Sequence, residues 1–260
     1  MLKNKLVFIT GASSGIGAAC AQHFARAGAN LLLCARHLDK LQPLADRLQK
    51  DHGVKVHAFA LDVSQLEAVQ SSLDKLPAEW KNIDILLNNA GLAAGLDFFA
   101  EAKIQDWEDM INTNVKGLLY VSKVVSNWMI KNGSGHIINL GSIAGKEVYA
   151  NGNVYCASKF AVDALTKGMR IDLVQHGIKV SSVQPGAVET EFSEVRFKGD
   201  KERAGKTYEG WEPLQAEDIA ETIWFVASRP KHVNINDIVI MPTAQANATT
   251  ILKGGKLGGR

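Results

Sequence analysis

Apolar and polar residues alternate along this chain in blocks. Short runs that are apolar nearly throughout, such as Asn30-Leu-Leu-Leu-Cys-Ala35 and Ile83-Asp-Ile-Leu-Leu-Asn88, are separated by longer stretches of helical character. A strand that reads as continuously apolar is one buried on both faces of its sheet. On this basis strands are predicted near 5–10, 30–35, 54–60, 83–88, 135–141, 178–184 and 235–241. Helices intervening between strands are the signature of parallel pairing. The expected fold is α/β: one domain over residues 1–260, a Rossmann-like doubly wound parallel sheet of about seven strands with helices on both faces. Ligands of such sheets bind outside the carboxyl ends of the strands.

Two predicted helices, near 104–131 and 152–176, carry further information. Trp107, Met110, Ile111, Val115, Leu118, Leu119, Val121, Val124, Val125 and Trp128 cover more than one helical face, whereas a helix with its back in water needs one apolar stripe. Ala157, Ala161, Ala164 and Gly168 leave the second helix flat enough for close packing. The surplus apolar surface suggests self-association. The segment 187–215 is long, polar and without clear periodicity, as expected of a substrate loop or lid. Residues 243–260 form a tail, expected to be free or laid on a neighbouring subunit.

Composition narrows the classes. No Pro/Gly/Ser-rich linker divides the 260 residues, and 29 basic against 27 acidic side chains give a net charge of +2 with no basic block. Neither nucleic acid nor an anionic membrane is favoured as a partner. No apolar segment has the length of a membrane span, and the N-terminal run is too short and badly flanked for a signal peptide. Cys20, Cys34 and Cys156 are scattered without a pairing pattern, which suits buried free thiols and a cytoplasmic location. His-x-x-x-His and Cys-x-x-Cys spacings are absent, so no metal is assigned.

Candidate chemistry begins in the first βα unit. Lys5-Leu-Val-Phe-Ile-Thr10 leads into Gly11-Ala-Ser13-Ser14-Gly15-Ile16-Gly17 and then an Ala-rich helix. Strand, glycine loop and helix in this order let the backbone approach a pyrophosphate at a helix N-terminus. At the end of the second strand, where a carboxylate would select an unphosphorylated ribose, Arg36 stands instead. Its guanidinium suits a 2′-phosphate, with the Ser13 hydroxyl as a second donor, so NADP(H) is favoured over NAD. Further along, Tyr155 and Lys159 are four apart on a predicted helix and share one face. An adjacent cation would lower a phenol from its ordinary pKa of about 10 toward a range useful for proton transfer. Ser142 would sit beside that phenol to hold an oxygen on which negative charge grows.

Taken together, Thr10-Gly11 with Gly15-Ile16-Gly17, Asn88-Asn89-Ala90-Gly91, Asn114, Ser142, Tyr155 with Lys159, and Pro185-Gly186 resemble the short-chain dehydrogenase/reductase family in order and spacing along nearly the whole chain. Within it the chain is most similar to the NADP-dependent 3-hydroxy acid dehydrogenases, also described as serine or allo-threonine dehydrogenases and malonic semialdehyde reductases. That finer similarity rests on Pro77-Ala-Glu-Trp80, Ile83-Asp-Ile-Leu-Leu-Asn-Asn-Ala-Gly-Leu92, Gly152-Asn-Val-Tyr155, Val195-Arg-Phe-Lys-Gly-Asp200 and His232-Val-Asn-Ile-Asn236. The resemblance implies an NADP-dependent enzyme moving hydride to or from a small hydroxy acid or carbonyl compound. Tyr155 would be its general acid and base, Lys159 the group that lowers the phenol pKa and binds the nicotinamide ribose, and Ser142 the substrate-orienting hydroxyl. Asn114 would hold a water on the proton path. Asp62 with Val63, and Asn89, Ala90 and Gly91, would border the adenosine, with a structural role for Asn89 equally open. Pro185, Gly186, Val188 and Thr190 would border the nicotinamide, and the family's habit adds a homotetramer.

The substrate carboxylate implied by this resemblance needs a cation. Arg196 in the lid is preferred, ahead of Lys146 and Lys198. Alternative readings are a broad carbonyl or 3-oxoacyl thioester reductase and, from another class, a non-catalytic NADP(H)-sensing binding protein.

Overall fold

The computed structural model describes residues 2–254. Seven strands form one sheet: β1 (Leu6–Thr10), β2 (Asn30–Ala35), β3 (Val56–Ala60), β4 (Ile85–Asn88), β5 (Gly135–Leu140), β6 (Ile178–Pro185) and β9 (Asp237–Ile240). All neighbours are parallel and the spatial order is β3-β2-β1-β4-β5-β6-β9. The order reverses between β1 and β4, so a crevice opens there above the carboxyl ends. A second sheet of two short parallel strands, β7 (Val188–Glu189) and β8 (Leu214–Gln215), closes the base of the predicted lid and was not expected.

Two cores sandwich the sheet. Val7 and Ile9 of β1 and Leu31 and Leu33 of β2 face α1 (Gly15–Arg26), α2 (Leu38–His52) and α9 (Ala216–Ala227). Leu6, Phe8, Leu32 and Cys34 point the other way, toward α3 (Leu66–Asp74) and α5 (Leu118–Asn132). The period-two alternation of side chains buries both halves of the inner strands, which is why those runs read as apolar throughout, while the edge strands β3 and β9 are only partly covered.

The predicted helix over 104–131 is three pieces. After α4 (Ile104–Ile111) the backbone widens into a π-type turn, Asn112–Gly117, before α5 begins. Such turns shift the helical face and concentrate at functional positions. The shift takes up much of the apolar surplus within the chain itself: Met110, Leu118, Val121 and Val125 are buried, Trp107, Val124 and Trp128 half-buried, and Leu119 stays exposed. The second helix, α6 (Asn153–Leu173), buries Tyr155, Ser158, Lys159, Val162 and Thr166 as one stripe and exposes Phe160 and Ile171.

The lid holds two short helices, α7 (Phe192–Arg196) and α8 (Lys201–Lys206). Over 243–254 the tail is not free. This segment folds back on its own subunit, with Leu252 donating from its amide to Ala244 and Gly254 donating to the lid carbonyl of Gly210 at 2.7 Å. Residues 255–260 of the predicted tail lie outside the described residues. Among the described residues no helix is long and apolar enough to cross a membrane.

Candidate active site

A cleft of about 440 Å³ opens above the carboxyl ends of β1 and β4. Gly11, Ser13, Ser14, Gly15 and Ile16 form one wall, and Gly11 and Gly15 have left-handed backbones that glycine adopts without penalty. Gly17 lies behind them, where a Cβ would clash with the Gly11 carbonyl and crowd the Asn89 amide. No side chain caps the N-terminus of α1, so its first-turn amides stay available to an anion. Exposed Arg36, with His37 beside it, stands at the rim after β2. Asp62, Val63, Asn89, Ala90 and Gly91 continue the wall, and Pro185, Gly186, Val188 and Thr190 face them. The side-chain oxygen of Asp62 accepts from both the amide (3.0 Å) and the hydroxyl (2.8 Å) of Ser64, which fixes its orientation. A glycine cradle, a bare helix N-terminus and a rim guanidinium fit a dinucleotide bearing an additional ribose phosphate.

Asn89 has a definite structural task. Its amide nitrogen donates to the carbonyls of Thr10 and Gly11, each at 2.9 Å, and so ties the β4 loop to the glycine loop. Asn114, placed by the π-type turn, also works through the backbone: it accepts from the Leu92 amide and donates to the Leu92 carbonyl, both at 2.8 Å, and donates to Ser158 at 3.0 Å. Ser158 in turn donates to the Tyr155 carbonyl at 2.7 Å. Asn114 therefore pins the loop after β4 to the first turns of α6. It does not itself line the cleft, although its neighbour Thr113 does.

Ser142, Tyr155 and Lys159 all line the cleft and all are buried. The turn after Ser142 packs directly on α6, since a Cβ on Gly145 would meet the Lys159 carbonyl at 2.7 Å. The electrostatics differ from the expectation that Lys159 lowers the Tyr155 pKa. Burial drives the phenol well above its ordinary value, the Tyr149 phenol adds to this, and Arg196 and the Ser142 hydroxyl pull it back. Lys159 is itself pushed down to about 8 by burial, and its ammonium donates to the Leu140 carbonyl at 3.0 Å. In this geometry the cation that favours the phenolate is Arg196.

Arg196 enters the cleft from α7. Its guanidinium lies 5.2 Å from the Tyr155 ring centre and 5.6 Å from that of Tyr149, and donates to the Tyr149 hydroxyl at 2.5 Å. Lys146 is a correction: it does not line the cleft, and its ammonium is held by Asp163 (2.8 Å) and Asp237 (2.6 Å). Its charge is spent on joining the turn after Ser142 to α6 and β9. Sequence reasoning also missed several wall residues. Tyr149, Phe192, Trp211, Gln245 and Ile251 line the cleft, and Gln245 accepts from the Ala187 amide at 2.8 Å. None of these sits in a spacing that distinguishes it from ordinary loop sequence.

The model of the short chain dehydrogenase family matches residues 5–201. An NADP-dependent 3-hydroxy acid dehydrogenase of Salmonella typhi is 45% identical over 94% of this chain and 97% of its own. Sulfoacetaldehyde reductase 2 of Chromohalobacter salexigens is 44% identical over 93% of this chain and 95% of its own. Among solved structures, the closed form of a serine dehydrogenase complexed with NADP+ superposes with a TM-score of 0.89, at 42% identity over 95% of this chain and 98% of that one. The chain belongs to the short-chain dehydrogenase family.

Proposed function

We propose that this protein is an NADP(H)-dependent oxidoreductase that interconverts the C3 hydroxyl and carbonyl groups of short 3-hydroxy acids, of the serine, allo-threonine or 3-hydroxypropionate/malonic semialdehyde type. The observation that carries the reading is the Arg196 guanidinium 5.2 Å from the Tyr155 ring: a cation for an acid group stands beside the proton donor. The NADP-dependent and acid-handling relatives support it.

The backbone from Gly11 to Gly17 would hold the pyrophosphate, and Arg36 with Ser13 the 2′-phosphate. Asp62, Val63 and the Asn89–Gly91 segment would border the adenosine; Pro185, Gly186, Val188 and Thr190 would border the nicotinamide. When bound, the nicotinamide supplies or accepts the hydride. In reduction Tyr155 gives its proton to the substrate oxygen as charge develops there, and Ser142 donates a hydrogen bond to the same atom. In oxidation Tyr155 takes the proton back. Lys159 places a positive charge near the reacting oxygen, and Arg196 grips the acid group bidentately.

Apolar walls formed by Phe192, Trp211 and Ile251 support a second reading, a broader carbonyl reductase taking uncharged ketones or 3-oxoacyl thioesters. The test is cofactor reduction, followed by the absorbance of the reduced nicotinamide, with serine, allo-threonine, 3-hydroxypropionate and a neutral secondary alcohol. Preference for the neutral alcohol would overturn the acid assignment. Exposed Leu119, Phe160 and Ile171 on α5 and α6 support a homotetramer joined in part through these helices, and the buried, unpaired cysteines a cytoplasmic location.

A further inference from the structure

Between the lid and the loop preceding α4 lies a set of contacts that the proposed chemistry does not use. Asp106, in the first turn of α4, is buried, yet both of its carboxylate oxygens accept from the Lys198 ammonium, at 2.8 and 2.9 Å. Lys198 is in the lid, immediately beyond α7. Two positions back, Arg196 exchanges main-chain and side-chain bonds with a single residue of the opposite loop: the Gly95 amide donates to the Arg196 carbonyl at 3.0 Å, and Arg196 Nε donates to the Gly95 carbonyl at 3.3 Å. Gly95 packs tightly against the acidic side chains on its own side. A Cβ on it would meet carboxylate oxygens of Asp97 at 2.9 Å and Asp106 at 3.1 Å. The charge pair across this contact is Asp106 with Lys198.

Lys198 also closes the C-terminus of α7. Its φ is +56°, a left-handed backbone that a lysine adopts at a cost, and Gly199 follows at +91°. A strained residue persists where surrounding contacts over-determine it. Here those contacts are the C-terminal cap of α7, in which the Lys198 amide donates to the Val195 carbonyl at 3.1 Å and the Gly199 amide to the Glu194 carbonyl at 2.8 Å, together with the two bonds to Asp106. Removing the ammonium would leave a buried carboxylate without its cation, and separation of the lid from α4 would do the same.

We propose that Asp106 and Lys198 form a latch that seats the lid, and that Asp106 is thereby a positioning residue for Arg196, fixing its guanidinium over Tyr155. The inference rests on the proposed role of Arg196 as the acid-binding group. The latch is chemically distinct from the site: Asp106 touches Lys198 and the Gly95 turn, and neither carboxylate oxygen reaches the cleft. Its effect is to decide where the guanidinium stands before substrate arrives.

The test compares Asp106→Asn, Lys198→Met, Lys198→Gly and Lys198→Arg in the full chain. Hydrogen–deuterium exchange of residues 192–206, measured without substrate, reads the latch directly. Exchange there should rise about tenfold in the first three variants and return toward the parent in Lys198→Arg. Lys198→Gly separates the ammonium from the backbone, since glycine relieves the left-handed strain and still lacks the charge. Kinetics with 3-hydroxypropionate and a neutral secondary alcohol then read the positioning: the KM for the acid should rise about tenfold with kcat changed less, and the neutral alcohol should respond weakly. Unchanged lid exchange in both Lys198→Met and Lys198→Gly would overturn the latch, whatever Asp106→Asn does to folding. Faster exchange with equal kinetic loss on acid and neutral substrates would uphold the latch and overturn the acid-binding role of Arg196.

Discussion

The guanidinium of Arg196 stands nearer to the Tyr155 ring centre, at 5.2 Å, than does the ammonium of Lys159, at 5.9 Å. Lys159 is four residues from the tyrosine on the same helix, whereas Arg196 arrives from the lid. Folding has thus brought the more distant cation closer. Burial holds Lys159 down to about 8. The lid therefore contributes to the electrostatics around the Tyr155 phenol.

Arg196→Ala is expected to raise the KM for 3-hydroxy acids by about 10 to 100-fold, the range for losing a charge-assisted hydrogen bond. Neutral alcohols should be little affected. Steady-state kinetics on paired substrates check this, and an equal loss on both would assign Arg196 to lid packing instead.

Tyr155→Phe should lower turnover by about 10² to 10⁴-fold, the usual contribution of a positioned proton donor. NADPH affinity, read by fluorescence titration, should stay close to that of the parent because the hydroxyl acts on the substrate oxygen. Lys159→Ala should impair both quantities. A phenylalanine variant with parental turnover would remove Tyr155 from the mechanism.

Arg36→Asp should weaken NADP(H) binding by about 10 to 100-fold and shift preference toward NAD(H). Arg36 is exposed at the rim, so the fold should tolerate the change. Equal NADP(H) affinity by calorimetry before and after substitution would show that the guanidinium makes no phosphate contact.

His136 gives the fold a pH dependence. The ring Nε2 and the Ser181 hydroxyl are 2.8 Å apart within the sheet, and burial, aided by Lys179, lowers the imidazole from 6.5 to about 3. Between those values the unfolded chain binds a proton that the folded chain does not. Stability therefore falls as pH drops below about 6.5, by up to about 1.4 kcal/mol per pH unit from this one group. His136→Gln should flatten that acid limb in urea unfolding. Parallel limbs in parent and variant would refute the assignment.

Much of the sheet could be read from the chain because its cause is local. A run that is apolar on both sides of the backbone can only be covered by two layers, and such runs became the inner strands of a seven-stranded parallel sheet, with the less apolar β3 and β9 at its edges. The π-type turn at Asn112–Gly117 could not be read that way. One extra residue within a helical turn rotates the buried face, and in the sequence that rotation shows only as apolar residues on more than one face, which an unbroken helix covered by a neighbour would show as well. Lys146 failed for a different reason: closeness to Ser142 along the chain said nothing of Asp163 and Asp237, which reach it from α6 and β9.

By itself, the sequence determined the strand-and-crossover fold, the glycine cradle, the rim arginine and the helical pairing of Tyr155 with Lys159. Each follows from backbone conformation or from spacing within one element. Tertiary structure decided where the remaining charges act. It withdrew Lys146 into an ion-pair network, set Lys198 on Asp106 92 residues away, folded the tail back so that Gln245 meets Ala187, and placed Arg196 over the tyrosine. Long side chains can reach many partners. Which one each meets depends on the loops that packing brings together, and no local pattern records that choice.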